Sequence, residues 1–306
     1  MRALRHSGKS VRGTQGSSIS LPPPLHNWGM IGFIGMGVMG ARMAGHLGAR
    51  HEVMVWNRTR AKAESVPGVT VSESLQGVAE ACDEIFICVS RTEDVREVLA
   101  GLKPHLRDGA LLVDHSTIEP KAAREMAAEF GRFVDAPVTG GEKGAVDGTL
   151  TVFCGGEQAD FERAKPMMEA YGKKVRLIGG SGAGQMMKMA NQISVVNCVL
   201  AMAECLAFAD RAGLDMAEAI ELVGSGAGGS WSLTNYGPKV LARDWSPGFS
   251  IDLQQKDLRY ALAAAREMGL DLRGTELVES LFAKLQAEGR GGQATPALFD
   301  LVSTGA

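Results

Sequence analysis

Short apolar runs alternate with amphipathic stretches along most of this chain, and the alternation sets the expected architecture. Residues 30–34 predict a buried strand, 41–49 a helix and 52–56 a second strand. Further strands are expected at 84–89, 110–114 and 132–135, each after a helical stretch, and at 149–154 and 174–178 around a helix over 158–171. That order belongs to a parallel, doubly wound α/β sheet ending near Gly179. Beyond Ser181 the pattern turns purely helical, with one long apolar run over 185–211 and shorter helices at 216–223, 253–267, 274–286 and 296–302. The long run is too apolar to stand in water and predicts a buried hinge between domains or a subunit interface. The glycine-rich stretch 179–184 just before it marks a boundary, giving an extension over 1–29, a sheet domain over 30–180 and an all-helical domain over 181–306.

Composition narrows the function classes. The 306 residues are 45% hydrophobic and carry a net charge of −3, with 32 basic and 35 acidic residues interspersed, so no basic patch argues for nucleic acid. No apolar run is expected to approach the roughly 20 residues of a membrane span. The five cysteines are odd in number and lack CxxC spacing, which predicts reduced thiols in a cytosol-like compartment and neither a metal site nor a disulfide frame. Residues 1–29 contain Arg2, Arg5, Lys9 and Arg12, a triple proline and no acid, and predict a disordered tail. Gly16 and the prolines spoil an amphipathic helix, so an upstream extension on a cytoplasmic protein is favoured over a mitochondrial or plastid transit peptide.

Within the first strand-helix-strand unit lies Gly35-Met36-Gly37-Val38-Met39-Gly40. Gly35 allows the tight turn, Gly37 lets a pyrophosphate approach, and Gly40 lets helix pack on strand, so the context predicts a dinucleotide site. The second strand ends in Asn57-Arg58-Thr59, with no carboxylate to hold a ribose 2′-hydroxyl. Arg58 suits a 2′-phosphate instead, with Asn57 and Thr59 as further donors; NADP(H) is therefore expected in preference to NAD(H), which stays possible.

Four more segments carry candidate chemistry. Asp114-His115-Ser116-Thr117 follows a sheet strand at its carboxyl end, where ligands of such sheets bind, although Ser116 and Thr117 also suit a helix cap. Thr139-Gly140-Gly141 offers backbone amides and a hydroxyl to a carboxylate, or an ordinary turn. Lys188, among apolar neighbours, shares a helix face with an amide three or four residues on, Asn191 or Gln192, and a lysine so placed needs a partner or a role. Lys256-Asp257 is expected to open a later helix.

In that order and spacing the motifs resemble those of the β-hydroxyacid dehydrogenase family, which includes 3-hydroxyisobutyrate dehydrogenase, tartronate semialdehyde reductase and the glyoxylate/succinic semialdehyde reductases. The resemblance runs from Met30 to about Ala264. It implies a Rossmann-like domain joined by a long helix to an all-helical domain resembling that of 6-phosphogluconate dehydrogenase; separately, the apolar run over 186–209 exceeds what one small helical domain can bury and predicts a homodimer or homotetramer. The resemblance implies Lys188 as general acid/base, Asn191 or Gln192 orienting a small carboxylate substrate, and Ser116 and Thr117 beside the nicotinamide and substrate. Thr139, Gly140 and Gly141 would bind the substrate carboxylate, with Lys256 near that carboxylate or the cofactor. Two positions depart from the common pattern: Thr139 stands where many members have serine, and Gln192 where many have asparagine. Imine reductases share the architecture but usually replace the lysine; a non-catalytic dinucleotide-binding module is the other competing function, and retention of all four motifs argues against it. Side chains around Trp231 are expected to close the pocket without naming the substrate.

Overall fold

The computed structural model describes residues 29–304, so the expected disorder of the N-terminal extension falls, but for Gly29, outside the described residues. Six parallel strands form most of the sheet: β1 (Ile31–Ile34), β2 (Val53–Trp56), β3 (Thr70–Val71), β4 (Glu84–Ile87), β5 (Leu111–Asp114) and β6 (Phe133–Asp135), in the order β3-β2-β1-β4-β5-β6. Strand order reverses between β1 and β4, and the crevice beyond the carboxyl ends at that point is where such sheets take ligands. β1, β4 and β5 are buried on both faces, which is why they read as continuous apolar runs. The short β3 went unread because Thr70 and Val71 stand between turn residues and only two residues pair.

The helices α1 (Val38–Gly48), α2 (Arg60–Glu64), α3 (Leu75–Ala81), α4 (Thr92–Leu102) and α5 (Pro120–Phe130) connect these strands. Beyond β6 the sheet departs from the all-parallel expectation. β7 (Val138–Thr139) and the short helix α6 (Gly141–Asp147) lead into β8 (Leu150–Gly155), which runs antiparallel to both β6 and β7. The chain needs only a tight connection to reverse there, whereas a parallel crossover would need a dozen residues or more. α7 (Gln158–Met168) then returns the chain to β9 (Gly172–Gly179), parallel to β8.

Helix α8 (Ala183–Arg211) is the spine of the helical half. Its start is set by Gly182 in the left-handed conformation (φ 86°) and by Asp135 at the end of β6, whose carboxylate accepts from the backbone N–H groups of Gly182 (2.6 Å) and Gln185 (2.9 Å). By length and composition α8 is apolar enough to cross a membrane, against the expectation that no run approaches a span. Its buried side includes Val196, Val199, Ala203 and Leu206 in the helical core, which accounts for the apolar length without a bilayer. Around it pack α9 (Met216–Gly224), α10 (Trp231–Ala242), α11 (Ile251–Glu267), α12 (Arg273–Ala287) and α13 (Leu298–Thr304). α10 escaped the sequence reading because Gly237 and Pro238 interrupt it; Ser230 caps it by accepting from the Leu233 amide at 3.1 Å. α11 begins at Ile251, so Lys256 and Asp257 lie well inside it and do not open it; Ser250, which accepts from Leu253 N–H, is the cap.

Candidate active site

The glycine loop connects β1 to α1 at the point of strand-order reversal. Gly35 has φ 98°, and a Cβ there would strike the Cys88 carbonyl oxygen; a Cβ at Gly40 would strike that of Gly35. Gly37 is different: a Cβ would meet nothing within 4 Å, so the loop keeps open space where a pyrophosphate is expected. α1 has no side chain bonded over its first turn, and its N-terminal amides face that space. A dinucleotide therefore fits this loop.

Individual loop residues divide by role. Val38 is half-exposed, whereas Met36 is buried in the sheet core and Met39 packs against it. The Met36 amide donates to Asn57 Oδ1 at 2.8 Å, and Asn57 Nδ2 donates to the Thr59 carbonyl at 2.9 Å. Met36 thus gives its N–H to the protein, and Asn57 braces the glycine loop, an amide across 21 residues that single-strand pattern reading does not detect. Thr59 caps α2 by position but without a side-chain hydrogen bond. Arg58 is the outlying charge, 77% exposed and 3.8 Å from Glu97. With Asn57, Arg60, Glu73 and others it lines a cavity of about 180 Å³ beside the ends of β2 and β3.

At the carboxyl ends of β5 and β6 the site turns inward. Ser116 is buried and its Oγ accepts from the Val89 amide at 2.9 Å; helix α5 is capped by position at Glu119, so the capping alternative for Ser116 and Thr117 is not what forms. Asp114 Oδ1 accepts from the Ser116 amide (2.9 Å) while Oδ2 has no partner, and burial pushes this carboxyl up to about 7. His115 is wholly enclosed: Nδ1 lies 2.6 Å from the Ala136 carbonyl and Nε2 2.7 Å from the Tyr171 hydroxyl, with its ring stacked on Phe86. A neutral ring donating from Nδ1 and accepting at Nε2 satisfies both, and burial lowers its pKa to about 4. Gln185, in the first turn of α8, accepts from Ile118 N–H (3.2 Å) and donates to the Ser116 carbonyl (2.8 Å), clamping this loop to α8. It was not among the expected site residues, and its only signal was a polar side chain in an otherwise apolar helix start.

Lys188 follows on the same helix face. It is buried and donates to the Val138 carbonyl at 2.9 Å, immediately before Thr139, so the structure brings the lysine to the 139–141 loop. Burial lowers its pKa from the ordinary 10.5, Asp257 opposes that shift, and Lys256 adds to it. Thr139 is half-buried, and Gly140 and Gly141 are exposed with φ 128° and 63°, conformations that a side chain resists. Gln192 is buried with both ends engaged: Nε2 donates to Asp257 Oδ2 (2.6 Å) and Oε1 accepts from Asn191 Nδ2 (2.8 Å). Half-buried Asn191 keeps an uncommitted carbonyl oxygen among the described residues. Lys256, 3.1 Å from Asp257, donates to the carbonyls of Ser90 (2.7 Å) and Thr117 (2.8 Å), tying α11 to the loops after β4 and β5. Thr117 is half-buried at that junction. Trp231 opens α10 and packs edge-on against Tyr236.

The sequence model of the NAD-binding domain of 6-phosphogluconate dehydrogenase matches residues 30–180, and that of the NAD-binding region of NADP-dependent 3-hydroxyisobutyrate dehydrogenase matches 182–302. The chain is 42% identical over 279 residues to a probable 3-hydroxyisobutyrate dehydrogenase-like mitochondrial protein of Arabidopsis thaliana, covering 88% of this chain and 83% of that one. It is 40% identical over 269 residues to the 2-hydroxy-3-oxopropionate reductase of Escherichia coli, covering 85% and 92%. Among solved structures, 3-hydroxyisobutyrate dehydrogenase of Mycobacterium tuberculosis with L-serine superposes with a TM-score of 0.81 at 29% identity, covering 90% of this chain and 99% of that one. An imine reductase from Pseudomonas, at 21% identity and a TM-score of 0.61, shares the fold.

Proposed function

The chain belongs to the β-hydroxyacid dehydrogenase family and is an NAD(P)-dependent oxidoreductase of short β-hydroxyacids or their semialdehydes, and on that premise we propose that it prefers NADP(H) and that Lys188 moves the substrate hydroxyl proton. The observation that carries the proposal is the buried Lys188 ammonium joined to the Val138 carbonyl beside the 139–141 loop. The substrates named for the relatives share a chemical plan, a carboxylate with an alcohol or aldehyde on the carbon β to it. Such a molecule reaches from an anion-binding loop at Thr139, Gly140 and Gly141 to Lys188.

When bound, the nicotinamide accepts or supplies the hydride at that β carbon. In oxidation the O–H bond breaks toward a neutral Lys188 amine as the carbonyl forms; in reduction the ammonium returns the proton to the alkoxide oxygen. Burial favours the neutral amine, and Asp257 limits how far its pKa falls. The Val138 carbonyl aims the amine. Asn191, with its free carbonyl oxygen, orients the substrate hydroxyl, and Gln192 ties Asn191 to Asp257. Lys256 and Gln185 hold the loops of Thr117 and Ser116 in place from the helical side. The neighbouring imine reductases show the fold alone, and a buried lysine at this position supports hydroxyacid chemistry.

At the other end of the cofactor, Arg58 beside the 180 Å³ cavity supports recognition of a 2′-phosphate. Phe208, Leu214 and Leu222 are exposed on the helical half, and α9 has no fully buried residue although Met216, Ala219, Ile220 and Val223 pack on the core; the exposed apolar side chains support assembly as a homodimer or homotetramer. Light scattering should give a multiple of 32.4 kDa, and a monomer at micromolar concentration would contradict it. For localisation we retain the cytoplasm, which a fluorescent fusion that stays cytoplasmic supports and one that enters an organelle refutes. The function itself is tested by following NADPH and NADH oxidation with tartronate, methylmalonate and succinic semialdehydes and glyoxylate, beside oxidation of the matching hydroxyacids. Turnover of at least one β-carbon pair with NADPH favoured is expected; no turnover of any would overturn the proposal.

A further inference from the structure

The cavity beside Arg58 contains a second guanidinium and a carboxylate whose roles the NADP(H) preference does not by itself explain. Arg60, the first residue of α2, donates from Nε to Glu64 at 2.7 Å and from Nη1 to Glu73. Glu73 lies between β3 and α3 and lines the cavity with Arg58 and Arg60, whereas Glu64 does not. Its stretch of backbone is anchored: the Ser72 amide donates to the Val55 carbonyl and the Ser72 hydroxyl to that of Ser74, both at 2.8 Å. The carboxylate is thus carried on a braced turn at the ends of β2 and β3.

Charge decides what this does to a ligand. Two guanidinium groups face the cavity, but Arg60 is already matched by two carboxylates, and Arg58 has only a loose contact with Glu97. A 2′-phosphate carries nearly two negative charges, so it gains from Arg58, gains less from the engaged Arg60, and is repelled by Glu73. A ribose 2′-hydroxyl feels almost none of this. We infer that Glu73 is a specificity-setting residue: by pairing with Arg60 inside the cavity it moderates the preference for a 2′-phosphorylated cofactor and keeps the pocket open to the unphosphorylated one.

The inference rests on the proposed NADP(H) preference, and the test separates the two. Titration calorimetry of the intact protein with 2′,5′-ADP and with 5′-AMP reads the 2′-phosphate contribution directly, without turnover. In the wild type 2′,5′-ADP binds more tightly, and Arg58→Ala erodes the difference about tenfold or more, as for loss of a charge-assisted contact. Glu73→Gln widens the ratio of the two dissociation constants by roughly three- to tenfold, the size expected for removing one exposed like charge at short range, and the gain shrinks in 0.5 M salt. Glu64→Gln, which also frees one side of Arg60 but lies outside the cavity, widens it less. A Glu73→Gln ratio equal to or below the wild type, or matched by Glu64→Gln, overturns the role of Glu73 while leaving the NADP(H) preference standing. A wild-type ratio near one, unchanged by Arg58→Ala, overturns the preference itself and the inference with it.

Discussion

The two ends of the crevice are built on opposite principles. Around Lys188 the key polar groups are buried and answered within the protein: the Val138 carbonyl for the lysine, Ser116 and Ile118 for Gln185, Gly182 and Gln185 for Asp135, and Asp257 for Gln192. Around Arg58 the charges stand in water, paired at 3.8 Å with an equally exposed Glu97, or in the Arg60–Glu73 and Arg60–Glu64 pairs. In the first region low dielectric makes each contact strong and each vacancy costly; in the second, solvent and salt dilute every pair. Proton transfer needs a group held at one place with a shifted pKa. Choosing between cofactors that differ by one phosphate needs only a field, which exposed charges supply.

If that contrast is right, perturbations at the buried end should be large and insensitive to salt. Lys188→Ala should lower kcat by about 10²-fold or more with cofactor dissociation constants within about twofold of wild type, measured by steady-state kinetics and fluorescence titration. Near-normal turnover would break the contrast at its strongest point. Next in size is the protein's dependence on His115. Its folded pKa of about 4 lies below the unfolded 6.5, so its contribution to stability is complete above about 6.5 and is lost as pH falls through about 4. Urea denaturation of wild type should show roughly 2 to 3 kcal/mol lost from this group across that window, and His115→Gln should remove that part of the slope. Gly140→Ala should act more locally: at φ 128°, with Leu150 Cδ2 3.2 Å from an added Cβ, the alanine strains the loop by about 1 to 3 kcal/mol. Substrate KM should rise by about tenfold while cofactor affinity holds, the loss expected when a single loop hydrogen bond is misplaced. Smallest should be the effect of Arg58→Ala at 0.5 M salt, where screening over about 4 Å already brings the wild-type difference between NADP(H) and NAD(H) affinity toward a few-fold.

Legibility in the sequence follows the same division. The sheet could be read because β1, β4 and β5 are buried on both faces and leave unbroken apolar runs, and α8 because nothing interrupts it. Motifs carried the glycine loop and the neighbourhood of Lys188, since both depend on residues adjacent along the chain. What escaped was set by contacts between distant segments. Asn57 spans 21 residues to brace Met36, Gln185 spans 67 to Ile118, and Asp135 caps a helix that starts 48 residues later. None leaves a period or a spacing. The antiparallel β8 was misread because a strand's direction depends on its partner and not on its own side chains.

The most direct measurement is the pH dependence of the single-turnover rate of hydride transfer, in the oxidation direction with saturating cofactor, for wild type and Lys188→Ala. Because burial lowers the Lys188 pKa from 10.5, the wild-type rate should rise with pH along a single titration below that value as the amine loses its proton, and the mutant should be slow and flat over the same range. A mutant that retains the titration at a near-wild-type rate would show that the proton leaves by another group, and the buried end would then be a scaffold rather than the seat of the chemistry.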